Sequence, residues 1–189
     1  MDQVPPWFAC SRMSPGSKKP SSRGQYSSRK RGFYEPVPSL APRGNVMTNH
    51  VKPIPDGYHT VTPVLMVDDA AKLIGFLKEA FGAREKERFT DPTGKIVHAE
   101  VTLGDSIVQL SDAVGEWKPV QVPLLLYVTD TDSTDRRALK AGASSLREPM
   151  DAFYGDRSAG VKDSFVNSWW IATHQEDVSR EELERRAKA

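Results

Sequence analysis

From Gly57 onward the chain alternates apolar and polar residues with the periods of short strands and helices. His59–Val67 (HTVTPVLMV) is dense in β-branched and apolar residues and predicts a strand. Asp68 and Asp69 then offer N-cap carboxylates, and Leu73, Phe76, Leu77, Ala80 and Phe81 recur at helical spacing. Gly82 is placed to end that helix in a left-handed turn. Arg84–Thr90 predicts a second strand and Asp91-Pro-Thr-Gly94 a turn. Ile96–Leu103 and Ser106–Ser111 then form a meander about Gly104-Asp105.

The plan repeats. Leu124–Val128 reads as a strand, Thr131–Ala141 as a helix with an acidic start, and Gly142 as its stop. Val67-Asp-Asp-Ala-Ala answers to Val128-Thr-Asp-Thr-Asp, and Phe81-Gly-Ala to Ala141-Gly-Ala, at an offset of 60 or 61 residues. Strand signals follow at Ser145–Arg147, around Ala159–Lys162 and at Ser168–Thr173. The expected fold class is therefore α+β, with two βαβββ modules at about 57–112 and 121–174. Each module has a sheet face it cannot bury alone. Beyond His174, Ser179 and Glu182 make a capping box, acids lead and bases trail, so residues 176–189 predict a short solvated helix.

Composition changes the picture at the N-terminus. Residues 1–46 hold eight Lys and Arg against Asp2 and Glu35, with seven prolines, four glycines and eight serines. Such a segment buries too little apolar area to offset its ordering entropy, so 1–50 reads as a disordered basic tail. Its charge would suit an acidic partner, its Arg and Ser content a transit peptide, and Met47 a start beyond a functionless extension. No apolar run reaches the ~20 residues of a membrane helix, and Cys10 is the lone cysteine. The expectation is a cytoplasmic protein with no intrachain disulfide and no cysteine-based zinc site.

Several segments together resemble one family. Val61-Thr-Pro-Val-Leu-Met-Val-Asp-Asp-Ala-Ala, Phe76-Leu-Lys-Glu-Ala-Phe-Gly-Ala83, Gly94-Lys-Ile-Val-His-Ala-Glu100, Gly104-Asp-Ser-Ile-Val and Tyr154-Gly-Asp-Arg157 look like the vicinal oxygen chelate superfamily. This is the glyoxalase, bleomycin-resistance and dioxygenase group, and the match is to its short, phosphonate-operon-type branch. The resemblance covers about residues 55–175. It implies paired βαβββ modules in an incomplete barrel around a small-molecule cleft, commonly in a homodimer. It also implies, in metal-dependent members, four His, Glu or Gln ligands for a divalent ion. Those positions fall near Thr62, on Val108 or Gln109, near Pro123, and on Trp169 or Trp170. Only Gln109 could ligate, so the family metal site reads as missing and no cofactor is expected. The alternative is a metal-dependent lyase, isomerase or dioxygenase with altered ligands. The family's Asp-Pro-Phe-Gly-Asn turn is replaced by Asp163-Ser-Phe-Val-Asn167. If that turn needs positive φ at position 166, valine costs on the order of 1 kcal/mol, or the turn is rebuilt.

Three constellations carry candidate chemistry. His98 and Glu100 lie two apart on a strand and so share a face. They suit a general base with its orienting carboxylate, part of a new metal site with His59 or Asp112, or only an edge pair. Tyr154 and Arg157 would clamp a planar anion, unless Arg157 merely pairs with Asp156 or the next strand. Trp169 and Trp170 must point to opposite faces, one lining the cleft and one filling core. Gln109 joins them as a ligand-binding candidate. The implied partners are a small molecule and a second copy of the chain, with no membrane; nucleic acid is expected only as a third reading, through the basic tail.

Overall fold

The structure is a computed structural model and describes residues 51–188. The basic tail expected over 1–50 lies outside the described residues. The first module runs β1 (Val64–Val67), α1 (Ala70–Phe81), β2 (Arg84–Thr90), β3 (Ile96–Leu103) and β4 (Ser106–Asp112). The second runs β5 (Pro123–Tyr127), α2 (Thr131–Lys140), β6 (Ser144–Asp151), β7 (Asp156–Lys162) and β8 (Ser168–His174). A final helix, α3 (Arg180–Arg186), follows.

Each module makes one four-stranded sheet, ordered β1-β4-β3-β2 and β5-β8-β7-β6. The first and last strands of a module pair in parallel and the others antiparallel. Neither sheet closes into a barrel. The first strand starts later than its composition predicts, because Pro63 supplies no N–H and residues 59–63 lie outside the ladder. Helix α1 begins where Asp69 accepts the Lys72 N–H and ends at Gly82, whose φ is 70°.

Strand alternation sorts each sheet into two faces. Leu65, Val67, Ala99, Val101, Val108 and Leu110 of the first sheet face α1. They share one core with Ala138 of α2 and Val161, Trp169 and Ile171 of the second sheet. The helix-bearing faces are thus buried against each other, and the opposite faces turn away from that core. Charged and aromatic groups collect on these two outer faces.

The β7–β8 turn is built on one carboxylate. Asp163 Oδ1 accepts the backbone N–H groups of Phe165 at 2.8 Å and Asn167 at 3.0 Å. Its Oδ2 accepts Asn167 Nδ2 at 3.0 Å and Trp169 Nε1 at 2.9 Å. Asn167 Oδ1 in turn accepts the Val122 N–H, tying the turn to the approach to β5. Val166 does adopt positive φ, 70°, alone among the described non-glycine residues. The turn geometry expected of glycine is kept and valine is strained within it.

Candidate functional site

On the outer face of the first sheet, β3 supplies His98 and Glu100. Because β3 is an interior strand, flanked by β2 and β4, both are almost completely buried. Gln109 of β4 sits across from Glu100 and donates its amide at 3.2 Å. Glu87 of β2 is the cross-strand partner on the other side. The segment before β1 lies over this face and brings Tyr58, whose hydroxyl donates to Glu100 Oε1. Lys86 Nζ donates to Glu100 Oε2 at 3.0 Å and stands 4.9 Å from the centre of the Tyr58 ring.

Electrostatics at Glu100 are a contest that its partners win. Burial pushes the carboxyl up, but hydrogen bonds from Tyr58 and Lys86 hold it below the usual glutamate range. Tyr58 is driven well above the ordinary tyrosine value, first by burial and then by its bond to Glu100. A protonated Tyr58 and an ionised Glu100 are therefore locked together at neutral pH. Neither ring nitrogen of buried His98 has a hydrogen-bond partner among the described residues.

The second sheet presents the same row with different side chains. Gly160 takes the place of Glu100, Trp170 that of Gln109, and Arg147 that of Glu87. The Trp170 ring lies directly over Gly160: a Cβ there would come within 2.6 Å of Cζ3. The Arg147 guanidinium stacks 4.8 Å from the indole and donates to Ser158 Oγ at 2.6 Å. Its Nε has no partner, and no carboxylate pairs with Arg147 among the described residues. Nearby on this face, buried Asp156 accepts the Tyr127 hydroxyl at 3.0 Å and pairs with His174 Nδ1 at 2.8 Å.

Other sequence candidates lie elsewhere. Trp169 is fully buried on the helix side, against Phe81 at 5.1 Å, while Trp170 faces outward. Arg157 also points to the helix side. It clamps Asp132 of α2 with two bonds of 2.5 and 2.7 Å and reaches Asp151 at 3.0 Å. It does not pair with Asp156, its neighbour on the opposite face. Tyr154 sits half-exposed in the β6–β7 turn, edge-on to Phe153, and does not join the Trp170 row. Of the auxiliary ligands, Asp112 accepts the N–H groups of Ala70 and Ile96, and His59 reaches the Asp105 carbonyl. Neither joins His98. Tyr58, Glu87 and Arg147 were not singled out from sequence. The one signal available was the repeat offset of 60, which makes Arg147 the second-module counterpart of Glu87.

A groove of about 670 Å³ runs along the seam between the modules, past Val61, Leu103, Val108, Leu124, Tyr127 and Arg137. None of the orphaned polar groups opens into it, so volume and chemistry part company here.

A sequence profile of the Glyoxalase/Bleomycin resistance protein/Dioxygenase superfamily matches residues 57–171, which is more than half of the chain. The chain belongs to this superfamily. A similar chain is an uncharacterized protein of Mycobacterium tuberculosis, 33% identical over 153 residues, spanning 75% of this chain and 86% of that one. Among solved structures, TioX from Micromonospora sp. ML1 aligns with a TM-score of 0.53 at 24% identity, covering 60% of this chain and 97% of that one. A family enzyme from Burkholderia phytofirmans aligns with a TM-score of 0.50 at 18% identity, covering 59% and 95%. These structures share the fold.

The positions that the resemblance assigns to the superfamily's metal ligands carry other contacts in this chain. Thr62 donates its hydroxyl to the His59 carbonyl, Gln109 is engaged with Glu100, and Pro123 and Trp170 have no ligating atom to offer. Val108 and Trp169, the alternatives in register, are core residues. Three or four donors would be needed there.

Proposed function

We propose that the protein is a cytoplasmic member of the superfamily that binds a small, planar, anionic molecule against the outer face of its second sheet. The observation that carries this reading is the Gly160–Trp170–Arg147 stack. A flat indole is held in place by a glycine on one side, and beside it stands an arginine without an acid partner. A guanidinium in that state offers its donors to a carboxylate or phosphonate, and the indole offers a wall. The first sheet supplies the complementary row of Tyr58, Glu100 and Gln109. Brought together in a homodimer, one copy's acidic row and the other's cationic row would form the two walls of a cleft, as the family fold implies. A metal-dependent lyase, isomerase or dioxygenase is the second reading, favoured by the meeting of Glu87, His98 and Glu100.

The test uses 8-anilinonaphthalene-1-sulfonate, a planar aromatic anion, titrated by fluorescence into the full chain. Saturable binding is expected, weakened about tenfold by Arg147→Met, the scale of one lost charged hydrogen bond. Trp170→Leu should weaken it similarly. Arg157→Met, on the opposite face, should leave it unchanged. Equal affinity for wild type, Arg147→Met and Trp170→Leu would sink the proposal.

A further inference from the structure

We propose that Glu87, His98 and Glu100 form a binding site for a divalent first-row cation of the zinc type, apart from the four positions at which the superfamily holds its metal. All three residues come from β2 and β3 of one chain. The site therefore stands whether or not the Trp170–Arg147 wall binds a ligand and whether or not the chain dimerises.

The first observation is the imidazole. His98 is 0% exposed, yet both ring nitrogens lack a hydrogen-bond partner among the described residues. An orphaned polar ring at that depth is costly to keep and calls for something that satisfies it. The second is spacing. His98 Nε2 stands 3.4 Å from Glu87 Oε1 and 3.4 Å from Glu100 Oε1, too long and too poorly aligned for good hydrogen bonds. Four ligands on a tetrahedral ion at about 2.1 Å are separated from each other by about 3.4 Å. The three candidate atoms all lie within 4.8 Å of one another, so a modest turn of the half-exposed Glu87 brings them onto one ion.

The third observation is charge. Two carboxylates converge on the imidazole, and the cation now answering Glu100 is Lys86, 3.0 Å from its Oε2. Its side chain is 44% exposed and has room to swing into water, which relieves its repulsion of an ion entering at Glu100 Oε1. Tyr58 and Gln109, both donating to Glu100 Oε1, would orient that carboxylate as outer-shell partners do in metal sites. One nitrogen and two carboxylate oxygens with tetrahedral spacing select zinc over the harder magnesium and calcium, which prefer six or more oxygens. Three protein ligands would leave one position open.

Zinc chloride is titrated calorimetrically into metal-stripped full-length protein, with a competing chelator to fix affinity. The expected result is one ion per chain. Glu87→Gln, at a half-exposed position, should weaken it about tenfold or more while the melting curve is retained. Lys86→Met should tighten it, because it removes the competing ammonium. A role for the cluster in folding alone predicts no such gain. Absence of stoichiometric uptake by both wild type and Lys86→Met overturns the proposal. So does uptake that folded Glu87→Gln leaves unchanged, since the ion then lies elsewhere in the chain.

Discussion

Where β3 of the first module sets Glu100 opposite Gln109, β7 of the second sets Gly160 opposite Trp170. The backbone register is the same and the chemistry is reversed. In the first module the row is acidic, buried and hydrogen-bonded, with His98 beside it. In the second it is flat, aromatic and cationic, and the polar bonding has moved to the Asp163 turn and the Asp156–His174 pair. A repeated scaffold has thus been furnished as two unlike walls. The trade is visible at single atoms: the space that the Glu100 carboxylate fills in one module is filled in the other by the Trp170 ring over a missing Cβ.

The difference can be broken first at Asp163. Four hydrogen bonds converge on its buried carboxylate, so Asp163→Ala should destabilise the chain by about 3 kcal/mol, read from urea unfolding. No turn of the first module should show so large an effect. Asp105, at the equivalent β3–β4 turn, is exposed. If Asp105→Ala proves equally costly, the modules are not held by different means.

Gly160→Ala tests the second wall directly. The added methyl would meet the indole, push Trp170 off the sheet and cost about 1–2 kcal/mol in stability. Its loss of anilinonaphthalene sulfonate binding should match that of Trp170→Leu. Retained binding would show that the ring need not lie flat.

The smallest effect expected is a gain. The β3–β4 turn places Gly104 at φ 61°, whereas the β7–β8 turn asks φ 70° of Val166. Val166→Gly should stabilise by about 1 kcal/mol in thermal unfolding, as relief of a strained left-handed valine outweighs glycine's greater freedom when unfolded. An unchanged or lower melting temperature would mean that the exposed valine gives back its strain through contacts.

Much of the fold could be read from the sequence because it is written locally. The Asp69 and Ser179 caps and the glycine stops lie within a few residues of what they control, and the 60-residue offset shows the same local signals twice. The strain at position 166 was legible for the same reason. The site was harder. Arg147 pairs with Gly160 and Asp151 with Arg157, so four steps along β6 match three along β7. Such an irregularity exchanges the two faces, and counting alternate residues from Arg157 gives no warning of it. A second shift between Glu85 and Glu87 hides Glu87 in the same way. Tyr58 comes from outside any strand, where no periodicity points to it. His98 and Glu100 could be paired on one face from spacing alone, but their burial depends on β3 being interior to its sheet.

Those same irregularities bear on how copies of this chain keep apart. Strands β2 and β6 each form one edge of their sheet, with β1 and β5 at the other, and each has backbone groups that could recruit a stray strand. The first carries five consecutive charges, Arg84-Glu-Lys-Glu-Arg88, and the second carries Pro149, which has no N–H to donate. With both ladders also bulged, self-assembly by endless strand addition is blocked at those edges. At those two edges, contact between copies is left to side chains, whose complementarity selection can tune one residue at a time.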